Sequence, residues 1–317
     1  MKTKHPEMEF AIEVFVRGHS AGKSRTFRYE ASRVGPLWVM RDAQRKNPRE
    51  YRKEEWIAHD FDAAEVDALA REHKRGRYFV CAMVGEGEPD EPTRSAYKTL
   101  GYRLLATEGF FVQRLMRIPK PPRPVPIERV RTSEVAARLG KVTRTRPIPA
   151  SQLGNDAPLR QYVALDEEEI VGRVRSVDAA GATWCADMYV NLSHRHRGIG
   201  QALLGRMLRD DRARGSKCSV LTASHTGALL YPRVGYERIG TLFMFMPVRA
   251  KNSLAHIVQS NTLSISCHSA PSPRRSRTNS GAELVADRTM AKRSMTSDTD
   301  RQPRASSCGA GENGPTG

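Results

Sequence analysis

The run Arg195-His-Arg-Gly198-Ile-Gly200 stands between a strand-like segment, Trp184 to Val190, and an apolar helical pattern at Leu203, Leu204, Met207 and Leu208. A strand, a glycine turn and a helix in that order leave the first N–H groups of the helix without partners inside it, and the macrodipole there attracts an anion. Gly198 and Gly200 lack a Cβ, so a phosphate can approach the backbone closely. Arg195 and Arg197 add guanidiniums, which bind phosphate oxygens in a bidentate way. A solvated basic loop is the simpler reading of these arginines, and the next segments of the chain decide against it.

Gly215 supplies a helix stop, Cys218 to Ala223 reads as a short buried strand, and then comes Thr226-Gly-Ala-Leu-Leu-Tyr231-Pro-Arg-Val-Gly235-Tyr236-Glu-Arg-Ile-Gly240. From about Ile127 to Val248 the chain resembles the GCN5-related N-acetyltransferase (GNAT) superfamily, whose motifs are an Arg/Gln-x-x-Gly-x-Gly/Ala turn and, one strand later, a helix ending Leu-Tyr-x-x-x-Gly-Phe/Tyr. The resemblance implies acetyl-CoA as co-substrate, with the amides of Met188, Tyr189 and Val190 on a splayed strand pairing with its pantetheine arm. It also implies that the turn amides of His196, Arg197, Gly198, Ile199, Gly200 and Gln201, with the Arg195 guanidinium beside them, hold the pyrophosphate. Tyr231 matches the tyrosine that protonates the departing thiolate, a transfer between groups of comparable pKa; a half-buried aromatic with a satisfied hydroxyl is the alternative. Ser224 and His225 stand where the family often places Asn or another polar contact to the cofactor. The acceptor amine must lose a proton before attack, and Asp187 is the nearest carboxylate on the strand, on the same face as Tyr189 by alternation. No metal is expected: His194, His196 and His225 do not follow a zinc spacing.

The front half repeats the later signature. Tyr97-x-x-x-Gly101-Tyr102, followed by an apolar strand pattern to Val112, matches Tyr231-x-x-x-Gly235-Tyr236 and suggests two copies of one unit. Phe10 to Val16 alternates like a strand, Gly35 to Met40 is another strand candidate, Ala63 to His73 is helical, and Tyr78 to Val84 is a buried strand. The polar stretch Arg41 to Arg52 holds Pro48 and no close glycine pair, so this half is expected to lack the acetyl-CoA turn and to brace the other half or shape its cleft. Gly18-His-Ser-Ala-Gly22-Lys23-Ser24 resembles a phosphate-binding P-loop but is one residue short, and Arg25 to Tyr29 alternates like a strand; a polar hairpin turn accounts for it better.

The expected architecture is therefore α/β (α+β): two GNAT-like mixed-sheet domains in tandem, then a disordered tail. The bounds are 1–118 for the divergent domain, 119–126 for a stiff Pro-rich linker, 127–249 for the catalytic domain and 250–317 for the tail, where Ser, Thr, Arg and Gly dominate and periodicity ends. The N-terminus lacks the apolar core of a signal peptide, no apolar run is long enough to span a membrane, and a cytoplasmic protein is the expectation. Of five cysteines, Cys81, Cys185 and Cys218 fall in buried-strand patterns and Cys267 and Cys308 in the tail, which fits a reducing compartment. A net charge of +17 is spread through both halves without the aromatic platform of a nucleic-acid module.

These readings imply an acetyl-CoA-dependent N-acetyltransferase acting on a small-molecule amine, a peptide N-terminus or a lysine. The alternatives are a non-catalytic acyl-CoA-binding regulator and a basic nucleic-acid-binding protein, with nucleic acid the less expected partner. The family sets its acceptor through loops that here fall around Thr143 to Asp156 and Ile239 to Met246, and neither loop names the amine or the oligomeric state.

Overall fold

A computed structural model describes residues 6–248, which belong to one compact unit; the tail from 250, with Cys267 and Cys308, lies outside the described residues. The strands are β1 (Tyr29–Val34), β2 (Leu37–Asp42), β3 (Glu54–His59), β4 (Tyr78–Gly85), β5 (Tyr102–Gln113), β6 (Ile127–Arg129), β7 (Leu159–Asp166), β8 (Glu169–Ala179), β9 (Ala182–Val190), β10 (Ser219–Ala223) and β11 (Glu237–Pro247). They form an 11-stranded mixed sheet in the order β1-β2-β3-β4-β11-β5-β10-β9-β8-β7-β6. The helices are α1 (Pro6–Lys23), α2 (Ala63–His73), α3 (Glu91–Thr99), α4 (Ser133–Thr143) and α5 (Ile199–Ala213).

The sheet does not divide where the linker does. β11, from the rear of the chain, lies between β4 and β5, and β5, from the front, lies between β11 and β10. The last strands of the two repeats are thus exchanged, and they pair antiparallel with each other, Tyr102 opposite Pro247 and Glu237 opposite Val112. The repeated tyrosines obey the same symmetry. Tyr97 stacks on Phe245 of β11 at 4.6 Å, and Tyr231 packs on Phe111 of β5 at 5.9 Å. Each also meets the second tyrosine of its own motif edge-on, Tyr102 at 5.5 Å and Tyr236 at 5.6 Å. Aromatic pairs of this kind add about 1 kcal/mol beyond the area they bury.

Several local expectations need correction. Phe10 to Val16 lies within α1, not in a strand, because its apolar residues continue the helical spacing Met8, Ala11, Ile12, Phe15, with those four all turned inward and largely buried. The P-loop-like residues are therefore the end of that helix, not a hairpin turn, and Gly18 serves close packing: a Cβ there would collide with Cβ of Trp184 on β9. Arg25 to Arg28 is irregular, and the strand begins only at Tyr29. After the polar stretch comes an additional strand, β3, buried along its whole length. The helix expected to carry Tyr231 is two short 3-10 turns, Gly227–Leu229 and Tyr231–Val234; Pro232 removes a backbone donor there. The linker is a buttress. A Cβ on Gly205 would lie 2.7 Å from Pro121, and one on Gly198 2.5 Å from Pro122, so these prolines lie directly on α5 and its cap.

Candidate functional site

β9 and β10 run parallel, but only Thr183 opposite Ser219 and Trp184 opposite Val220 are paired. Beyond Trp184 the strands part, and the backbone from Cys185 to Val190 faces an opening in the sheet. On its other side β9 pairs with β8, and the register there shifts: Arg175 faces Ala186 while Arg173 faces Tyr189. Asp187 and Met188 form the bulge, and Asp187 takes a positive φ of 55°, which Asp tolerates better than most residues. Both oxygens of Asp187 accept hydrogen bonds across the bulge, from Arg173 Nε at 2.9 Å and Arg175 Nη2 at 3.2 Å. Alternation alone would set Asp187 beside Tyr189. Instead the bulge brings it into one cavity wall with Trp184 and Ala186, while Tyr189 is 39% exposed under Arg173, whose guanidinium lies 4.7 Å from its ring.

After β9 a 3-10 turn, Leu192–His194, leads into the glycine turn. His196 and Gly198 take positive φ, 62° and 80°, and Gly198 caps α5 with no side chain bonded to the helix amides. The amides that open α5 thus remain available to a ligand, with no acidic residue in the first turn. Gly200 sits where a Cβ would lie 3.0 Å from Leu230 and 3.2 Å from the Met188 methyl, so the turn, the bulge and the 3-10 segment converge on one point. Arg195 donates to the Val190 carbonyl at 3.1 Å and remains exposed, as does Arg197. His194 is held by Asp166, with Nε2 3.1 Å from Oδ2. Ser224 follows β10 exposed, and its carbonyl accepts from the Ala228 amide at 2.9 Å.

Tyr231 is 7% exposed, and burial first, then the neighbouring Cys185 and Glu108, push its phenol above the ordinary range, which keeps the proton on oxygen. Burial likewise raises the Cys218 thiol to about 11, which marks it as a packing residue.

On the far side of the sheet from α5 lies a cavity of about 360 Å³, walled by α1, α4, the loop after α4 and the centres of β7, β8 and β9. Sequence reasoning points to acceptor contacts in the loop after Thr143 but misses α1, whose short-window alternation reads as a strand. Yet α1 brings His19 and Lys23 into this wall. Both contact the buried Glu55 of β3, His19 Nε2 at 3.5 Å. Burial alone would raise the Glu55 pKa, but the close His19 ring and the hydrogen-bonded Lys23 ammonium outweigh it and hold the carboxyl at about 2.

Beneath the opposite face, Arg160 and Asp211 are both fully buried and pair at 3.0 Å, with Ser176 and Thr183 completing the hydrogen bonds to the carboxylate. This cluster fastens α5 to β7, β8 and β9.

Residues 158–238 match the acetyltransferase (GNAT) domain. No curated protein matches the chain. Among solved structures, a GCN5-related N-acetyltransferase from Kribbella flavida is similar over 78% of this chain and 96% of its own, at 16% identity and a TM-score of 0.52. One from Sphaerobacter thermophilus is similar over 65% of this chain and 75% of its own, at 17% identity and a TM-score of 0.45. The first carries the fold assignment.

Proposed function

Taking the chain as a member of the GCN5-related N-acetyltransferase superfamily, we propose that it transfers the acetyl group of acetyl-CoA directly to a primary amine. The observation that carries the reading is the parting of β9 from β10 immediately before a helix whose opening amides are uncapped. A pantetheine arm would pair with the exposed backbone of Met188, Tyr189 and Val190, and the pyrophosphate would rest on the amides from His196 to Gln201, flanked by Arg195 and Arg197. Ser224, just past the end of β10, lies across the opening as a polar contact.

The amine nitrogen attacks the thioester carbonyl, the C–S bond breaks as the C–N bond forms, and the departing sulfur takes the Tyr231 proton. Asp187 orients the amine and receives its proton, with Arg173 and Arg175 fixing the carboxylate in place. A strand amide near the bulge stabilises charge on the carbonyl oxygen.

Thiol release from acetyl-CoA over a panel of primary amines tests this. Tyr231→Phe is expected to lower kcat about 100-fold, in the range of a lost general acid, with acetyl-CoA affinity within about twofold. Equal losses in both, or full turnover, would remove Tyr231 from the role. Tight acetyl-CoA binding with no thiol release for any amine would favour the non-catalytic regulator.

A further inference from the structure

The acceptor cavity has an unusual charge. Lys23, Arg25, Arg146, Arg173 and Arg175 line it, against a single lining carboxylate, Asp187. Asp187 is shared by Arg173 and Arg175, and Glu55, which lies behind the wall, is taken by Lys23 and His19. Arg25 donates to a backbone carbonyl, that of Arg146, and the Arg146 guanidinium has no acidic partner among the described residues.

The cations also act on one another. Arg175 is held below its ordinary pKa by burial and then by Arg25 and Arg173, despite the pull of Asp187. Arg173 and Arg175 keep only 20% and 16% of their side chains exposed, and further guanidiniums at the mouth of this space, Arg25 and the exposed Arg146, add a repulsion that a bound anion would offset. Two elements far apart in the chain supply the excess: α1 and the segment just after it, from the front, and the loop after α4, from the rear.

We infer that the amine accepted here carries an acidic group, a carboxylate or a phosphate ester, which this cavity binds between Arg25, Arg146 and the Arg173–Arg175 pair. The inference rests on the acetyl-transfer reading for the amine's role, but the anion site stands on the cavity itself. A guanidinium fork suits either acid. The amine end then points to the bulge at Asp187, which borders both the cavity and the opening between β9 and β10. A neutral or cationic acceptor would leave the arginines uncompensated, and a lysine side chain in a basic peptide would be repelled.

The test uses paired amines on the full chain: β-alanine against β-alaninamide, and O-phosphoethanolamine against ethanolamine. Thiol release from acetyl-CoA is expected to show kcat/KM at least about tenfold higher for the acid of a pair, equivalent to one charge-assisted contact. The pair with the larger ratio identifies carboxylate or phosphate. The double change Arg25→Ser and Arg146→Ser should cut that ratio about tenfold, with thermal melting checking that the fold persists. Ratios near one, or a ratio untouched by the double change, overturn the inference while leaving acetyl transfer intact. If no amine releases thiol, the transfer reading fails, and calorimetric titration of the same four amines still decides the anion site: acids that bind no tighter than their neutral partners would refute it.

Discussion

Both halves of this chain build a parallel strand pair with a helix crossing between its members: β3, α2 and β4 in front, β9, α5 and β10 behind. Two residues before the helix cap, both use a positive φ, 60° at Asp60 and 62° at His196. The halves differ at the cap itself. In front, the Asp62 carboxylate accepts from the amides of Ala64 and Glu65; behind, Gly198 leaves the corresponding amides open. They differ also in the strands, since β3 and β4 stay paired from Glu54 to His59 while β9 and β10 pair only at Thr183 and Trp184. The caps differ in backbone as well, Asp62 being extended at φ −65° and ψ 135° and Gly198 left-handed at φ 80° and ψ 0°, so the front helix start is closed by its own carboxylate and by the paired strands beside it. On the proposed reading, the open amides and the parted strand pair together make the rear turn the anion site.

The largest effect should come from the buried ion pair under α5, which has no counterpart beneath α2, whose buried residues are Ala63, Val66 and Ala70. Arg160→Ala would strand the Asp211 carboxylate, already pushed above its usual pKa by burial, and is expected to cost about 3–5 kcal/mol in urea unfolding. A loss under about 1 kcal/mol would show that Asp211 simply takes a proton and that the rear helix is held by packing alone.

Next comes the anchoring of α1 to β3 at Glu55. Its folded pKa of about 2 lies below the unfolded 4.5, so its contribution is present above pH 4.5 and is lost as pH falls toward 2. That amounts to roughly 3 kcal/mol of acid-labile stability, from about 1.4 kcal/mol per unit. Unfolding monitored from about pH 6 to about pH 2 should show this decline, and Glu55→Gln should flatten it. An unchanged slope in the variant would show that Glu55 does not hold α1 to β3.

The smallest effect belongs to the front cap. Asp62→Ala should cost about 1 kcal/mol of stability and create no second acetyl-CoA site, because β3 and β4 remain paired. Appearance of a second site would mean that the carboxylate alone closed the front turn.

Much of this arrangement is legible in the chain. The glycine turn, the rear strands and the repeat at Tyr97 carry strong local signals, because glycines and aromatics at fixed spacing have few other uses. The exchange of β5 and β11 is not legible, since strand order depends on long-range pairing to which neither strand's own pattern refers. β3 is hidden by Glu54 and Glu55, charges that read as surface until their partners are seen: Glu54 accepts from the Gly76 amide, and Glu55 meets His19. α1 escapes because Phe10 to Val16 alternates over a short window, and only the longer window with Met8 and His19 restores the helical period. Alternation misplaces Asp187, because a bulge cancels the strand period there.

Calorimetric titration of the full chain with acetyl-CoA, beside a variant that copies two residues of the front turn into the rear one, tests most directly whether the rear turn holds the cofactor. The copy is His196→Asp with Arg197→Phe, which sets Asp60 and Phe61 of the front turn before the unchanged Gly198 cap, Asp60 and His196 sharing a positive φ. One acetyl-CoA per chain is expected, weakened about 100-fold in the copy, which removes the Arg197 guanidinium and sets a carboxylate against the pyrophosphate. Two molecules bound per chain, or an affinity untouched by the copied turn, would show that the rear turn is not what holds the cofactor.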